Sequence, residues 1–260
     1  MSSVSVLTKI PNLLKELRIC LPAVQFHEIT SDKDDKLKSS EIIIADFDLL
    51  TPVLHNIPKT KWVQGTWAGV DKLTQYTKNK MGSGTNWIVE YARFAEILNK
   101  FGARVFGFGR KSNLDKDDKS FVKGYYTKPT LKEFLQNCDY VINVLPSTPE
   151  TKGLLNGGVL QNCKDRGTVF INVGRGSIIA DADLIEALDK KWLSAAILDV
   201  FNEEPLSESS LLWSMPQVKI TPHVSAVSIA RHIAEQFMDN YKLYTNKKTI
   251  PTTLDLRKGY

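Results

Sequence analysis

Thr168-Val169-Phe170-Ile171-Asn172-Val173-Gly174-Arg175-Gly176 is the stretch on which the fold turns. Thr168–Val173 is rich in β-branched and aromatic residues and reads as a strand. It ends at once in glycine, arginine, glycine. Strands of the same kind flank it: Tyr140–Leu145 before, then Ala195–Val200 and Val218–Thr221 after. Amphipathic stretches separate them, notably Asp183–Lys190. Apolar clusters alternating with amphipathic segments make an α/β chain with a parallel sheet and covering helices. In such sheets ligands bind just beyond the carboxyl ends of the strands. The residues immediately past each strand therefore carry the functional information.

The same alternation extends towards the amino terminus. Arg104–Phe108 and Gly124–Thr127 are further strands, and Thr130-Leu131-Lys132-Glu133 has the form of a capping box that opens a helix. Val4–Leu7, Val24–Ile29, Ile42–Ala45 and Trp62–Gln64 form an earlier group, with a helix carrying Leu13, Leu14 and Leu17 on one face. Between the groups the chain turns polar, from Asp71 to Thr85. A helix follows with Trp87, Tyr91, Phe94, Leu98 and Phe101 at helical spacing, which reads as core. The last helix, Ala226–Thr245, presents Ile233, Phe237, Tyr241 and Tyr244 together. The expected organisation is a doubly wound parallel sheet in residues 85–230 and a second α/β domain in residues 1–80 plus 231–260.

The chain has 260 residues, long for one small domain and short for two full ones. Its net charge of +5 is small and scattered, so nothing resembles the concentrated basic face of a nucleic-acid binder. No apolar run approaches the roughly 20 residues of a membrane span. Met1–Leu7 has no charged residue ahead of an apolar stretch and reads as a strand rather than a signal peptide. Cys20, Cys138 and Cys163 are far apart and show no metal-ligand spacing, as expected of reduced thiols in a cytoplasmic protein. The run Asp115-Lys116-Asp117-Asp118-Lys119 reads as a solvated loop.

Three strand ends carry chemistry. Arg175 follows the first. Glu203 and Glu204 follow Leu198-Asp199-Val200-Phe201-Asn202. His223 follows Ile220-Thr221-Pro222. Any one of these in a loop is ordinarily a solvated surface group. A guanidinium, a carboxylate and an imidazole on adjacent strand ends are instead able to converge on one small ligand. His27, His55 and His232 have no such setting.

The wording of these segments resembles the D-isomer-specific 2-hydroxyacid dehydrogenases, and most closely the glyoxylate and hydroxypyruvate reductases among them. The resemblance rests on Val144-Leu145-Pro146-Ser147-Thr148-Pro149-Glu150-Thr151, Asn172–Gly176, Leu198-Asp199-Val200-Phe201 through Glu204-Pro205-Leu206, Thr221-Pro222-His223, and Trp67-Ala68-Gly69-Val70-Asp71. It implies a Rossmann-like domain, a flavodoxin-like substrate domain, NADP or NAD as cofactor, and a small 2-keto acid as substrate. Arg175 would bind the substrate carboxylate and polarise the keto oxygen. His223 would donate a proton, with Glu204 holding its imidazole. The amides of Ala68, Gly69 and Val70 would bind the carboxylate from the other domain. Leu145, Pro146, Val173, Gly174, Asp199 and Ser225 would line the cofactor, with Asp199 meeting the nicotinamide amide. Gly109-Arg110-Lys111-Ser112 places a basic residue where NAD binders carry an acidic one, so Arg110 favours the extra phosphate of NADP.

The sequence departs from the family in one place. A strand and a Gly-x-Gly-x-x-Gly turn should precede the helix that begins near Arg93. Ahead of Phe94 stands Ile88-Val89-Glu90-Tyr91-Ala92, which resembles a piece of the family's inter-subunit helix. The homodimer that helix implies would thus rest on a truncated element. Gly82-Ser83-Gly84-Thr85-Asn86-Trp87 precedes a helix but reads as a hinge, because Trp87 holds the third glycine position. The expectation is a Rossmann-like sheet without its central strand. The alternative to an active reductase is an impaired or inactive family member acting at most as a binding protein.

Overall fold

The computed structural model describes residues 3–31, 33–67, 96–110 and 121–250. The chain divides into two compact units, Met1–Asn86 with Val227–Tyr260, and Trp87–Ala226.

The first unit is built on a parallel sheet of β1 (Ser3–Leu7), β2 (Gln25–Glu28), β3 (Ile42–Ala45) and β4 (Trp62–Gly65), in the order β2-β1-β3-β4. Val4 pairs with Phe26 on one side and Ile42 on the other. All four residues of β3 are buried, which is why the run Ile-Ile-Ile-Ala sits inside the sheet rather than at an edge. Helix α1 (Leu13–Cys20) buries Leu13 and Leu17. Short helices α2 (Asp35–Ser39) and α3 (Phe47–Leu50) follow β2 and β3. Asp46 ties the carboxyl ends together: it accepts from the Thr8 and Thr66 hydroxyls and from the Lys9 N–H. Three strand ends are thereby held where β4 runs into Thr66 and Trp67.

The second unit has helical residues at 96–100, then β5 (Val105–Phe108) and β6 (Val122–Tyr126). Helix α4 (Leu131–Gln136) leads to β7 (Tyr140–Asn143) and β8 (Thr168–Asn172), then α5 (Asp181–Asp189), β9 (Leu193–Leu198) and β10 (Val218–Ile220). Every pairing is parallel. The strands lie in two sheets, β10-β9-β8-β7 and β5-β6. Among the described residues no strand joins β5 to β7. The two sheets nevertheless share one apolar core: Leu131 and Leu135 of α4 pack with Val141 and Phe170, and Phe106 and Phe108 of β5 lie against the same cluster. All four residues of β5 are only half-buried, and Tyr140 at the start of β7 is 64% exposed.

The chain then returns to the first unit with α6 (Ala230–Thr245). Phe237 is fully buried and stacks on Trp62 with ring centroids 5.0 Å apart. Tyr244 donates its hydroxyl to Glu41 at 2.7 Å. Burial and that carboxylate push the Tyr244 hydroxyl up to about 12.

Several local expectations shift. The strand expected at Ala195–Val200 runs from Leu193 to Leu198, because Lys191 takes a left-handed turn (φ 56) directly before it and Asp199 is already in the loop. The capping box lies one turn earlier than expected: Thr127 and Thr130 cap a 3-10 turn over Lys128–Thr130, and Thr130 makes no side-chain cap for α4. The last helix begins at Ala230 rather than Ala226, since Ser225 is held by Asp199 and Ser228 donates to the Thr66 carbonyl. Phe101, expected in the core, is 85% exposed where the helical turn ends and Gly102 (φ 85) redirects the chain. Trp87, Tyr91 and Phe94, the polar passage 71–85, the turn candidate Gly82–Trp87, the segment 88–92 and the charged run 115–119 lie outside the described residues. So do Ala68, Gly69 and Val70. Among the described residues no helix is long and apolar enough to cross a membrane, and no cluster of side chains has the make-up of a metal site.

Candidate active site

The site of the second unit is assembled from the carboxyl ends of β7, β8, β9 and β10. Its framework is a pair of buried asparagines. Asn143 ends β7 and Asn172 ends β8, paired in register, and Asn143 Nδ2 donates to Asn172 Oδ1 at 2.7 Å. Both amides also donate to the Arg175 carbonyl, and Asn172 Oδ1 accepts from the Gly174 N–H. Asn143 Oδ1 accepts from the Leu145 N–H. Two amide side chains thus dictate the path of both loops. Neither asparagine was read as functional from sequence. The signal was an amide at the same position of two adjacent apolar strands.

Val173 is half-buried and donates its N–H to the Asn143 carbonyl. Gly174 is buried against that loop: a Cβ there would lie 2.9 Å from Asn143 Nδ2 and from the Leu145 carbonyl. Leu145 and Pro146 are half-buried, and the Pro146 carbonyl accepts from Thr151. Arg175 is half-buried, with its Nη1 donating to the Gly174 carbonyl at 2.8 Å.

His223 and Glu204 form a dyad. His223 Nδ1 and Glu204 Oε2 are 2.7 Å apart, and Glu204 Oε1 accepts from the Phe201 N–H. The carboxylate is therefore aimed by its own loop, with one oxygen for the backbone and one for the imidazole. Glu203 points elsewhere. It lies near Asp181, whose carboxyl is raised by burial and then by the Glu203 charge.

His223 has a left-handed backbone, φ 54. For a non-glycine residue that conformation is uncommon and needs surrounding support. Asp199 supplies it. Its Oδ1 accepts from the Thr221 hydroxyl and the Val224 N–H, its Oδ2 from the Ser225 N–H and hydroxyl, and its carbonyl from the His223 N–H. Both carboxylate oxygens of this 2% exposed residue are engaged by residues 221–225. Burial pushes the Asp199 carboxyl up, but the Ser225 and Thr221 hydroxyls and the two N–H groups outweigh it and bring it down to about 2.

A sign follows for stability. The folded pKa of Asp199 lies below its ordinary value of 3.8, so its contribution is full above about pH 4 and is lost as pH falls through 2. The interval is worth about 2 kcal/mol. Chemical denaturation of the wild type and Asp199→Asn from pH 6 to pH 2 is expected to show the steeper acid loss in the wild type. Parallel curves would mean that the loop is not held by this charge.

In the two-stranded sheet, Arg110 and Lys128 follow β5 and β6, both exposed. Cationic side chains at these strand ends suit a phosphorylated adenosine ribose. The donor set therefore fits a dinucleotide at the adenosine end.

A histidine–carboxylate pair and a guanidinium thus stand at the carboxyl ends of a parallel α/β sheet, where such sheets bind their ligands. The chain belongs to the D-isomer specific 2-hydroxyacid dehydrogenase family: the NAD-binding domain of that family matches residues 90–225. Among solved structures, a D-isomer specific 2-hydroxyacid dehydrogenase from Xanthobacter autotrophicus Py2, in complex with NADPH and MES, is 22% identical, with a TM-score of 0.82 over 100% of this chain and 99% of that one. An NADPH-dependent glyoxylate/hydroxypyruvate reductase from Sinorhizobium meliloti, in complex with NADP and sulfate, is 23% identical, with a TM-score of 0.80 over 100% of both chains. A family protein from Aeromonas salmonicida is 24% identical, with a TM-score of 0.79 over 98% and 99%. At these identities the likeness is one of fold, and it is the Rossmann-like α/β fold of this family.

Proposed function

We propose that this chain carries the proton-transfer and substrate-anchoring machinery of an NADPH-dependent reductase of short 2-keto acids such as glyoxylate or hydroxypyruvate, and that its turnover is impaired. The observation that carries the first half is the 2.7 Å contact between His223 and Glu204 beside the strand that delivers Arg175. When bound, the dinucleotide supplies the hydride. The remaining work falls to the chain. Arg175 binds the substrate carboxylate with a planar, permanently charged fork. His223 gives its Nε2 proton to the keto oxygen as that oxygen becomes an alkoxide, leaving the 2-hydroxy acid. Glu204 at Nδ1 fixes the ring orientation, leaving Nε2 for the substrate. Ala68, Gly69 and Val70 are the proposed amide donors to the carboxylate. Leu145, Pro146, Val173 and Gly174 are the proposed walls against the cofactor. Asp199 and Ser225 act together, as the clasp that sets the His223 loop. The first unit is proposed as the substrate domain and the second as the dinucleotide domain.

The second half rests on the family resemblance, with support from the two separate sheets among the described residues. One strand between β5 and β7 would join the two sheets in the doubly wound order, with β6, β5, the inserted strand and β7 as neighbours. The reading that the chain lacks this strand and its glycine turn agrees with the half-buried β5 and the exposed Tyr140. Titration of the purified chain with NADPH and NADH, followed by nicotinamide fluorescence, tests the reading. NADPH is expected to bind weakly and NADH more weakly still. Tighter binding of NADH would refute the NADP preference, and micromolar NADPH binding would refute the loss.

A further inference from the structure

The carboxyl end of β4 is held from several directions. Thr66, the first residue past the strand, is 3% exposed and donates its hydroxyl to Asp46 Oδ1 at 2.6 Å. Its carbonyl accepts from the Ser228 hydroxyl at 3.0 Å. One residue back, the Gly65 carbonyl accepts from the Gln64 side-chain amide, and the Gln64 amide oxygen accepts from Asn240 of α6. The Phe47 ring lies across Gly65, where a Cβ would run into it. All of these residues belong to the first unit.

Asp46 is the costly member of this set. It follows the apolar run of β3 and has no exposed surface. Its Oδ1 accepts from the Thr8 and Thr66 hydroxyls and its Oδ2 from the Lys9 N–H, at 2.6, 2.6 and 2.7 Å. Burying a carboxylate is expensive, and apolar side chains of similar shape would hold the same strand ends together at less cost. What apolar contacts lack is direction. The carboxylate fixes the Thr66 hydroxyl, and Ser228 fixes the carbonyl of the same residue. Thr66 is thus gripped by side chain and by backbone, from two separate elements, just before the chain reaches Ala68, Gly69 and Val70.

We propose that Asp46 and Ser228 are positioning residues for the substrate carboxylate: they grip Thr66 and so set the direction in which Ala68, Gly69 and Val70 present their amides. The proposal rests on the reading of those amides as carboxylate donors, given above. A hydrogen bond weakens steeply as its angle closes towards about 120°, so a rotation at Thr66 passes directly into the strength of the donors that follow. In this role neither Asp46 nor Ser228 needs to touch the substrate. Their loss weakens capture of the carboxylate without abolishing it.

The probe is oxalate, the smallest dicarboxylate and close in shape to glyoxylate. It is titrated into the full chain by heteronuclear NMR, with the amide signals of Ala68, Gly69 and Val70 as readout. In the wild type those signals are expected to move. Ser228→Ala should weaken oxalate about fivefold, the scale of one hydrogen bond, with the unfolding midpoint unchanged, and Ser228→Thr should restore it. Thr66→Val, which cuts the link to Asp46 and leaves the carboxylate in place, should weaken oxalate to a similar degree, and Thr66→Ser should restore it. If Ser228→Ala and Thr66→Val bind oxalate as the wild type does, the positioning role is wrong and the reading of the amides stands. If oxalate leaves the signals of residues 68–70 unmoved in the wild type, the reading of the amides falls and the positioning role falls with it.

Discussion

Inserting a strand and a Gly-x-Gly-x-x-Gly turn between Ala92 and Phe94 is expected to raise glyoxylate reduction by at least about 100-fold, and NADPH binding with it. The chain as it stands pairs His223 with Glu204 and presents Arg175 at the end of β8, the groups proposed for the proton and the substrate. Hydride transfer needs the nicotinamide carbon near contact with the keto carbon, and misplacement by about 1 Å costs on the order of 100-fold in rate. The pyrophosphate rests on backbone donors at a helix amino terminus, and those donors fix the nicotinamide at a distance. The insertion should also merge β5-β6 with β7–β10, raising the unfolding midpoint, because a two-stranded sheet is marginal by itself. Steady-state assays of the two proteins side by side decide the matter. Comparable rates would show that the existing chain already holds its cofactor, and the reading of a lost strand would have to be abandoned.

Gly176→Ala is expected to destabilise the second unit by about 3 kcal/mol and to separate Arg175 from the dyad. Gly176 is buried and its φ is ordinary, so the reason is space alone. An added Cβ would lie 1.8 Å from the Phe201 carbonyl carbon, 1.9 Å from its oxygen and 2.4 Å from the Asn202 nitrogen. These are backbone atoms and have no rotamer to change. Either the Arg175 loop or the 201–204 loop must move, and Glu204 is aimed by the Phe201 N–H. Denaturant unfolding measures the first effect. The second appears as a changed His223 ring signal in NMR, even in a protein without turnover. A stability change below about 0.5 kcal/mol would show that the two loops part freely, as surface loops do.

The sequence revealed the strands because parallel strands buried on both faces are nearly continuous apolar runs, as Ile42–Ala45 shows, and Thr168–Asn172 is almost as apolar although only one of its faces is fully buried. It placed Arg175, Glu204 and His223 just past three such runs, and the structure brings Glu204 to His223. Side-chain geometry was far less legible. An asparagine closing a strand looks like the start of any loop, so the cross-strand pair of Asn143 and Asn172 went unread. Asp199 stands next to an apolar run, and nothing in the letters says that its two oxygens face back into residues 221–225. The left-handed φ of His223 is likewise invisible, since it follows from that clasp and not from histidine itself. β9 begins and ends two residues earlier than the apolar run suggests, because Val200 prolongs that run past Leu198, where the strand ends.

The chain leaves the first unit, builds the second, and only then makes α6, which carries Phe237 into the core beside Trp62. On the ribosome, the sheet β1–β4 therefore emerges with one face waiting for a helix synthesised last. If the intervening segment is still a loose coil, closing a loop of that length costs about 4 kcal/mol in chain entropy. If it has already collapsed, its two ends are tethered and most of that cost is gone. Each unit's maturation is thus hostage to the other's, and a weakness in the β5–β7 region would first show as slow closure and proteolytic loss of β1–β4 in the newly made protein, before any enzyme assay registered it.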